Sequence, residues 1–214
     1  MTIRSTVERE IDWKQIKDAS LAGTARELIQ SGDSIPIRLK TGEDVILDAT
    51  YDANGKLYFV THDCLNEERS MNNDATNKGG WAATDLRKEL NERIFDTLPD
   101  ELQEIIAPTK IVQVIGEERV ECADKLFCLS FTQAFGKVNR SFSKMEPEDT
   151  QLDIFKTERS RVKECGGNGT WYWWLRSPWA SSTAYFAFVY YNGVSGNNSA
   201  SYAYGVAFGF CLNL

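Results

Sequence analysis

The sequence lacks the basic surplus that binding to nucleic acid or to an anionic membrane surface requires. Its 214 residues include 24 Lys and Arg against 31 Asp and Glu, which gives a net charge of -7. It also lacks an apolar run long enough to form a membrane-spanning helix. We therefore expect no nucleic-acid partner and no membrane insertion, and the length favours one domain over residues 1–214.

A secretory signal is also missing. The first twelve residues include Arg4, Glu8, Arg9 and Glu10 and no apolar stretch. We therefore expect no signal peptide and synthesis in the cytoplasm.

Cysteine patterns typical of disulfide or metal frameworks are absent. The five cysteines are odd in number and form no Cys-x-x-Cys pair: Cys64, Cys122, Cys128, Cys165 and Cys211. We expect buried free thiols in a reducing compartment rather than a disulfide framework. Because His62 is the single histidine, we predict no zinc site, and we expect no cofactor.

Catalytic motifs are lacking as well. The sequence has no phosphate-binding loop, no Gly-x-Gly-x-x-Gly after a strand and no His-Glu-x-x-His. No Ser or Cys nucleophile lies in a recognisable motif with His62, although a pairing with a cysteine across the fold stays open. The polar segment from Asn66 to Gly80 has Asn72, Asn73, Asp74 and Asn77, but their spacing does not match a calcium loop. We therefore predict a protein that is not an enzyme and holds no metal.

The first third of the chain alternates between a helical and a strand pattern. Asp12 can cap a helix whose apolar residues recur at helical spacing, with a break near Gly23, so residues 1–32 form a helical segment. Residues 34–61 alternate in polarity like strands. Asn54–Gly55 predicts a tight hairpin turn among them.

The middle of the chain predicts short helices and further strands. Thr84 caps a helix and Pro99–Asp100 starts another, which Pro108 ends. Strands are expected at residues 111–115 and 126–129, and a helix at residues 154–165. Residues 139–150 read as a charged, irregular excursion.

The run from Trp171 to Pro178 carries three tryptophans in four positions. Each large aromatic side chain buries about 150–250 Å², so this run predicts a strand at the centre of the core, covered on both faces. A charge there needs a partner, so Arg176 is expected to make a buried, hydrogen-bonded pair. A direct ligand contact by Arg176 is the alternative.

The residues that follow Arg176 include no Lys, Arg, Asp, Glu or His. They are rich in Tyr, Ser, Asn and Gly, the residues that dominate antibody paratopes because Tyr gives large amphipathic contact area and Ser and Asn give adaptable hydrogen bonds. The candidate ligand contacts are Trp179, Tyr185, Phe188, Tyr190, Tyr191, Asn192, Asn197, Asn198, Ser201, Tyr202 and Tyr204. The expected scaffold residues are Phe186, Val189, Gly193, Ala200, Gly205, Val206 and Phe210. Sheet core for the aromatics and plain loop for Asn and Ser stay open, and the spacing from Phe186 to Val189 predicts a bulge.

These residues resemble the C-terminal signature of an uncharacterised domain family that is common in gut Firmicutes and their phages. The hexapeptide from Trp173 to Pro178 is the most specific part. Weaker matches occur upstream in the same order, at Gly79–Gly80–Trp81, Leu98–Pro99–Asp100 with Pro108, and Asp124–Lys125–Leu126–Phe127. The resemblance covers most of the chain.

Members of that family include variable proteins of diversity-generating retroelements. The resemblance implies an α+β, C-type-lectin-like fold with antiparallel sheets and flanking helices, and a variable ligand-binding region over residues 170–214. In such systems errors at template adenines turn Asn codons into a restricted residue set, which the segment from Ala180 onward follows and Trp179 does not. The implied partner is a protein or cell-surface ligand, the reverse transcriptase acts on the gene only, and display on a phage virion is the implied location.

Two other functions compete with recognition. A structural phage or cell-surface module would use the uncharged tail for assembly. The lectin-like fold is also shared with formylglycine-generating oxidases, which use cysteines near the C-terminus, and Cys211 lies near this C-terminus. Fold analogy is a weak basis for chemistry.

Overall fold

The computed structural model describes residues 12–137 and 146–212. The expectation for the first eleven residues and part of the expected excursion at 139–150 lie outside the described residues. These residues include four short α-helices: α1 (Trp13–Leu21), α2 (Asp85–Glu89), α3 (Asp100–Ile105) and α4 (Phe131–Phe135). Helix α2 continues into a π-turn at Leu90–Ile94 and a 3₁₀ turn at Phe95–Thr97, and further 3₁₀ turns lie at Ala25–Glu27, Trp81–Ala83 and Arg159–Arg161.

Twelve strands form four sheets among the described residues, and every strand pair is antiparallel. The strands are β1 (Ser34–Arg38), β2 (Asp44–Tyr51), β3 (Leu57–Thr61), β4 (Thr109–Ile115), β5 (Glu118–Asp124), β6 (Phe127–Cys128), β7 (Lys163–Glu164), β8 (Thr170–Trp171), β9 (Trp173–Pro178), β10 (Tyr185–Val189), β11 (Ser195–Ser199) and β12 (Phe208–Phe210). The sheet orders are β1-β2-β3-β12-β6, β11-β10-β9, β4-β5 and β7-β8. The chain is therefore a mixed α+β protein with antiparallel sheets and short helices.

The five-stranded sheet follows the sequence pattern closely. Alternate residues of β1 and β2 are buried, as a sheet with one covered face requires. Asn54–Gly55 forms the predicted turn before β3, with Gly55 at φ 82°. The C-terminal strand β12 then inserts between β3 and β6, so the end of the chain completes the sheet that the first third begins.

The helix caps form where the sequence predicts them. The side chain of Asp12 accepts a hydrogen bond from the Gln15 backbone N–H, and that of Thr84 accepts one from Arg87 N–H. Helix α1 ends at Leu21, just before Gly23 at φ 75°. Trp13 of α1 packs edge-on against Phe59, with the ring centroids 5.2 Å apart, which seats the helix on the five-stranded sheet.

Within the Trp-rich run, Trp171 ends β8 and is half-buried. Residues Trp173–Pro178 form strand β9 and are all buried. This strand lies at the edge of the three-stranded sheet rather than at its centre. The backbone N–H groups on its outer edge still form hydrogen bonds: Trp174 N–H donates to Gly205 O, and Arg176 N–H donates to Leu129 O. The register between β9 and β10 shifts between Phe186 and Phe188, which confirms the predicted irregularity.

Two sequence expectations need correction, and one strand was not predicted. Residues 154–165 form a single 3₁₀ turn and strand β7 instead of a helix. Strand β5 was not predicted. Asp124 is its one buried residue, and Val120 and Cys122 are half-buried. Cys64 and Cys165 form a disulfide, with Cα atoms 4.7 Å apart, so these two are not free thiols. Their separation of 101 residues gives no local signal of the pairing.

Candidate functional site

Aromatic side chains converge on one face of the three-stranded sheet and on the segment that leads into it. We call this surface the aromatic face. Its exposed or half-buried members are Trp171, Tyr172, Tyr190, Tyr191 and Tyr202, and its buried members are Trp174, Phe188 and Tyr204. Ring-to-ring contacts connect all eight.

Tyr172 is the centre of the aromatic face. Its ring stacks on Trp171 at a centroid distance of 4.8 Å. It meets the rings of Tyr190 and Tyr204 edge-on, each at 5.3 Å. Sequence reasoning did not select Tyr172 as a contact, because it lies inside the Trp-rich run that was assigned to the core. Its half-buried ring instead sets the positions of its neighbours.

Phe188 and Tyr204 support the aromatic face from below. Only 2% of Phe188 and 8% of Tyr204 are exposed, so we correct both from contact residues to supporting residues. The Asn198 amide donates a hydrogen bond to the Tyr204 hydroxyl at 2.6 Å. Burial raises the pKa of Tyr204, so its phenol stays neutral and the layer carries no charge.

Tyr191 and Tyr202 form the outer layer. They are 53% and 56% exposed. Asn192 and Ser201 beside them are exposed too, and Tyr190 is half-buried. These five residues are the predicted contacts that the structure brings together at the surface.

The remaining predicted contacts lie elsewhere. Trp179 stacks on Tyr185 at 5.9 Å, and both lie at the far end of the β9–β10 pair from Tyr190. Asn197 is half-buried and, by strand alternation, points to the opposite side of β11 from Asn198. The expected scaffold residues, from Phe186 to Phe210, are all buried, as predicted.

A buried polar network underlies β9 next to the aromatic face. The Arg176 guanidinium is 2% exposed and donates to Cys128 O at 2.9 Å and to Gln133 Oε1 at 2.8 Å. It also forms ion pairs with Asp149 and, at 3.7 Å, with Glu146. The sequence predicts such a buried pair, and the structure confirms it.

Glu146 is the most deeply placed carboxyl of this network. It accepts from Ser177 Oγ at 2.5 Å and from the Gln113 amide at 2.9 Å. Burial raises its pKa to about 7, against the opposing pull of Arg176. Sequence reasoning missed this residue, because a glutamate in a charged segment looks like any solvated carboxylate.

The same network reaches the Gly-Gly-Trp segment. Gln113 Oε1 accepts from the Trp81 backbone N–H at 2.7 Å. The Trp81 indole N–H donates to the buried Asp124 at 2.7 Å, which also pairs with Arg87. Three of the segments that carry the family resemblance, at Trp81, Asp124 and Arg176–Ser177, therefore meet in one set of buried hydrogen bonds. We call this set the polar network, and its members are Trp81, Arg87, Gln113, Asp124, Gln133, Glu146, Asp149, Arg176 and Ser177.

The disulfide supports the aromatic face from behind. A Cβ atom at Gly205 would lie 2.4 Å from Cys165 Sγ and 2.6 Å from Cys64 Sγ, closer than side-chain carbons ever approach. Gly205 N–H also donates to Tyr172 O at 2.9 Å. The sulfurs thus fix the backbone between Tyr204 and the centre of the aromatic face, and only glycine fits there.

His62 and Cys211 are the groups that the sequence analysis considered for catalysis. His62 Nδ1 lies 2.6 Å from Asp48 Oδ2. Burial raises the pKa of Asp48, but hydrogen bonds from His62 and Ser34 outweigh it and hold the pKa below its usual value. Cys211 is buried, and burial raises its pKa to about 11, so its thiolate is suppressed at neutral pH.

Within residues 12–137 and 146–212, no three His, Cys, Asp or Glu side chains group as a metal site would need. Asn72 and Asn77 of the loop considered for calcium instead bond to backbone: the Asn72 amide donates to Thr76 O, and the Asn77 amide to Ser182 O and Tyr185 O. In the part of the chain that the structure describes, no helix has the length and apolar character to cross a bilayer.

Residues 54–214 match the model of a family described as a domain of unknown function, DUF6273. The match covers more than half of the chain, so the chain belongs to this family. No curated protein and no solved structure matches the chain. The resemblance to variable proteins of diversity-generating retroelements therefore stays a prediction.

Proposed function

We propose that this chain is a non-enzymatic recognition protein whose aromatic face binds a protein or cell-surface ligand. The observation that carries the proposal is the pair of exposed tyrosines, Tyr191 and Tyr202, on a base of packed, uncharged aromatic rings. Tyr and Asn at such a surface supply contact area and hydrogen bonds at low entropy cost. A ligand that covers these rings removes their apolar surface from water, and the resulting hydrophobic free energy favours binding.

The finer identity is part of the same proposal. A C-type-lectin-like scaffold with a diversified C-terminal region accounts for exchangeable side chains on a fixed base. Display on a phage virion or another surface agrees with the Cys64–Cys165 disulfide, because disulfides persist in oxidising surroundings. A near-copy of the codons for residues 179–209, differing only at adenines and lying beside a reverse transcriptase gene, would support it. A genomic locus without either would contradict it.

Alanine replacement of Tyr190, Tyr191 and Tyr202 tests the recognition role. We expect the triple variant to fold and to lose binding on an array of bacterial surface proteins and glycans that the unmodified chain recognises. The matched control replaces Leu21 and Leu28, which are 57% and 40% exposed outside the aromatic face. Equal loss of array binding in the control, or unchanged binding in the triple variant, would count against the proposal.

A structural module is the second candidate, because an exposed aromatic face can also join copies of one chain. Sedimentation distinguishes the two functions. A concentration-dependent oligomer that the Tyr190, Tyr191 and Tyr202 replacements dissolve would favour assembly over recognition.

A further inference from the structure

A groove of about 880 Å³ opens at the end of the β9–β10 pair that lies away from the aromatic face. Three segments line it: the end of the β4–β5 hairpin, the loop at residues 75–79 and the turn at residues 178–183. Its volume lies in the range of binding sites for small ligands, about 300–1,000 Å³. The proposed function does not use this groove.

The groove wall is held in place by Asn77. The Asn77 amide donates to Ser182 O at 2.8 Å and to Tyr185 O at 2.9 Å. Its backbone N–H donates to Thr183 O at 2.8 Å. These bonds tie the loop to the turn that carries Trp179. The groove is therefore built by a buried side chain and is not a gap between loose segments.

The inner surface of the groove is apolar. Trp179 is half-buried and rests against Tyr185, with ring planes 19° apart. Ile115 and Val120 of the β4–β5 hairpin lie on one face of the hairpin by strand register, and both are half-buried on the facing wall. An indole opposite branched aliphatic side chains is a surface on which an aromatic or aliphatic side chain gains from leaving water.

The rim carries two opposite charges. Lys78 lies on the loop and Glu118 on the hairpin, and both are exposed. Among the described residues, neither side chain makes an ion pair or a hydrogen bond. A ligand with an apolar centre between an acidic and a basic group would complement both walls.

We propose that this groove binds a short peptide segment of a partner protein, with a large apolar side chain against Trp179 and flanking acidic and basic residues at Lys78 and Glu118. The opposite rim charges select a segment that carries both signs. The apolar centre supplies the affinity, since exposed ion pairs contribute little.

Capped tripeptides test the proposal by NMR titration. The probe is acetyl-aspartyl-phenylalanyl-lysine amide, followed through the indole N–H signal of Trp179, which Trp179→Phe assigns. We expect a saturable shift with this probe and at least about tenfold weaker binding when alanine replaces the phenylalanine of the peptide. No saturable shift would overturn the proposal, and so would a shift produced by a neutral disaccharide and not by any peptide.

Glu118→Lys tests the charge selection without touching the apolar wall. Both rims are then positive, so we expect the preference to move by about two- to fivefold toward a peptide with aspartate on both sides of phenylalanine. An unchanged preference would overturn the assignment of the rim. Because Glu118 is exposed, this variant stays folded even if Trp179→Phe does not.

Tyr191→Ala separates this proposal from the proposed function. We expect it to leave the titration unchanged, since Tyr191 lies on the aromatic face. Loss of tripeptide binding in Tyr191→Ala would move the peptide site to the aromatic face and overturn the groove assignment.

Discussion

The polar network and the aromatic face both use β9, and they differ in almost every physical property. The polar network is charged, buried and paired: Arg176 and Glu146 are 2% and 0% exposed. The aromatic face is neutral, and its outer members Tyr191 and Tyr202 are more than half exposed. A buried charge must keep its partners, whereas an exposed neutral ring can be exchanged. Strand β9 thus borders both a paired, buried region and a neutral region that is open to solvent.

Removing Arg176 should have the largest effect. In Arg176→Met, Glu146 and Asp149 lose their partner in a buried site, so we expect a loss of about 3–5 kcal/mol in the free energy of unfolding. Urea denaturation measures it. The matched control is Arg119→Met, whose ion pairs with Glu121 and Glu148 are half-exposed and should be worth less than about 1 kcal/mol. Similar losses in both variants would erase the contrast between buried and surface charges.

The disulfide should give the next largest effect. Cys64→Ser opens a link across 101 residues, and loss of such a link costs about 2–5 kcal/mol of unfolding free energy in non-reducing buffer. Reductant should bring the unmodified chain to the level of the variant and leave the variant unchanged. Cys122→Ser, at a free half-buried thiol, is the control. A variant as stable as the unmodified chain without reductant would argue against the pairing.

Glu146 should make the polar network sensitive to pH. Its pKa is raised from 4.5 to about 7 in the folded state. Between these values the folded state holds a proton that the unfolded state has lost, so stability contributed by this group is full below about pH 4.5 and decreases up to about pH 7. The slope is at most about 1.4 kcal/mol per pH unit. The Glu146→Gln variant should lack this decrease. Stability that changes with pH in parallel in the variant and in the unmodified chain would refute the role of Glu146.

The smallest effect is expected on the aromatic face. Tyr191→Ser and Tyr202→Ser should each change the free energy of unfolding by no more than about 0.5 kcal/mol. Phe188→Ala is the buried comparison and should cost about 3–5 kcal/mol. Thermal unfolding of the three variants checks this. A large loss in Tyr191→Ser would show that the outer layer belongs to the fold and is not exchangeable.

Local signals made much of the fold predictable from the sequence. These signals depend only on residues a few positions apart, so they can be recognised in the sequence itself. They are the caps at Asp12 and Thr84, the Asn54–Gly55 turn and the alternation in β1 and β2. The burial of β9 followed from the size of its tryptophans alone. The paired state of Arg176 followed from the free energy of burying a charge.

Long-range pairings were not predictable in this way. The partners of the Arg176 side chain lie up to 48 residues away in sequence, and nothing near Glu146 marks it as buried. The expected helix at residues 154–165 does not form. Its apolar residues Ile154 and Phe155 lie together at one turn, and no apolar stripe continues along one helix face after them. Of the candidate site, the exposed tyrosines were identified, but the separation of Trp179 from them needed the strand geometry.

The rings that pack closely against Gly196 limit which substitutions this segment tolerates. A Cβ atom there would lie 2.6 Å from the rings of both Phe188 and Tyr190. A combinatorial library built on this scaffold should therefore randomise Tyr191, Asn192, Ser201 and Tyr202 and keep Gly196 constant together with Gly205. Clones that alter either glycine should drop out at the expression step, before any selection for a target begins.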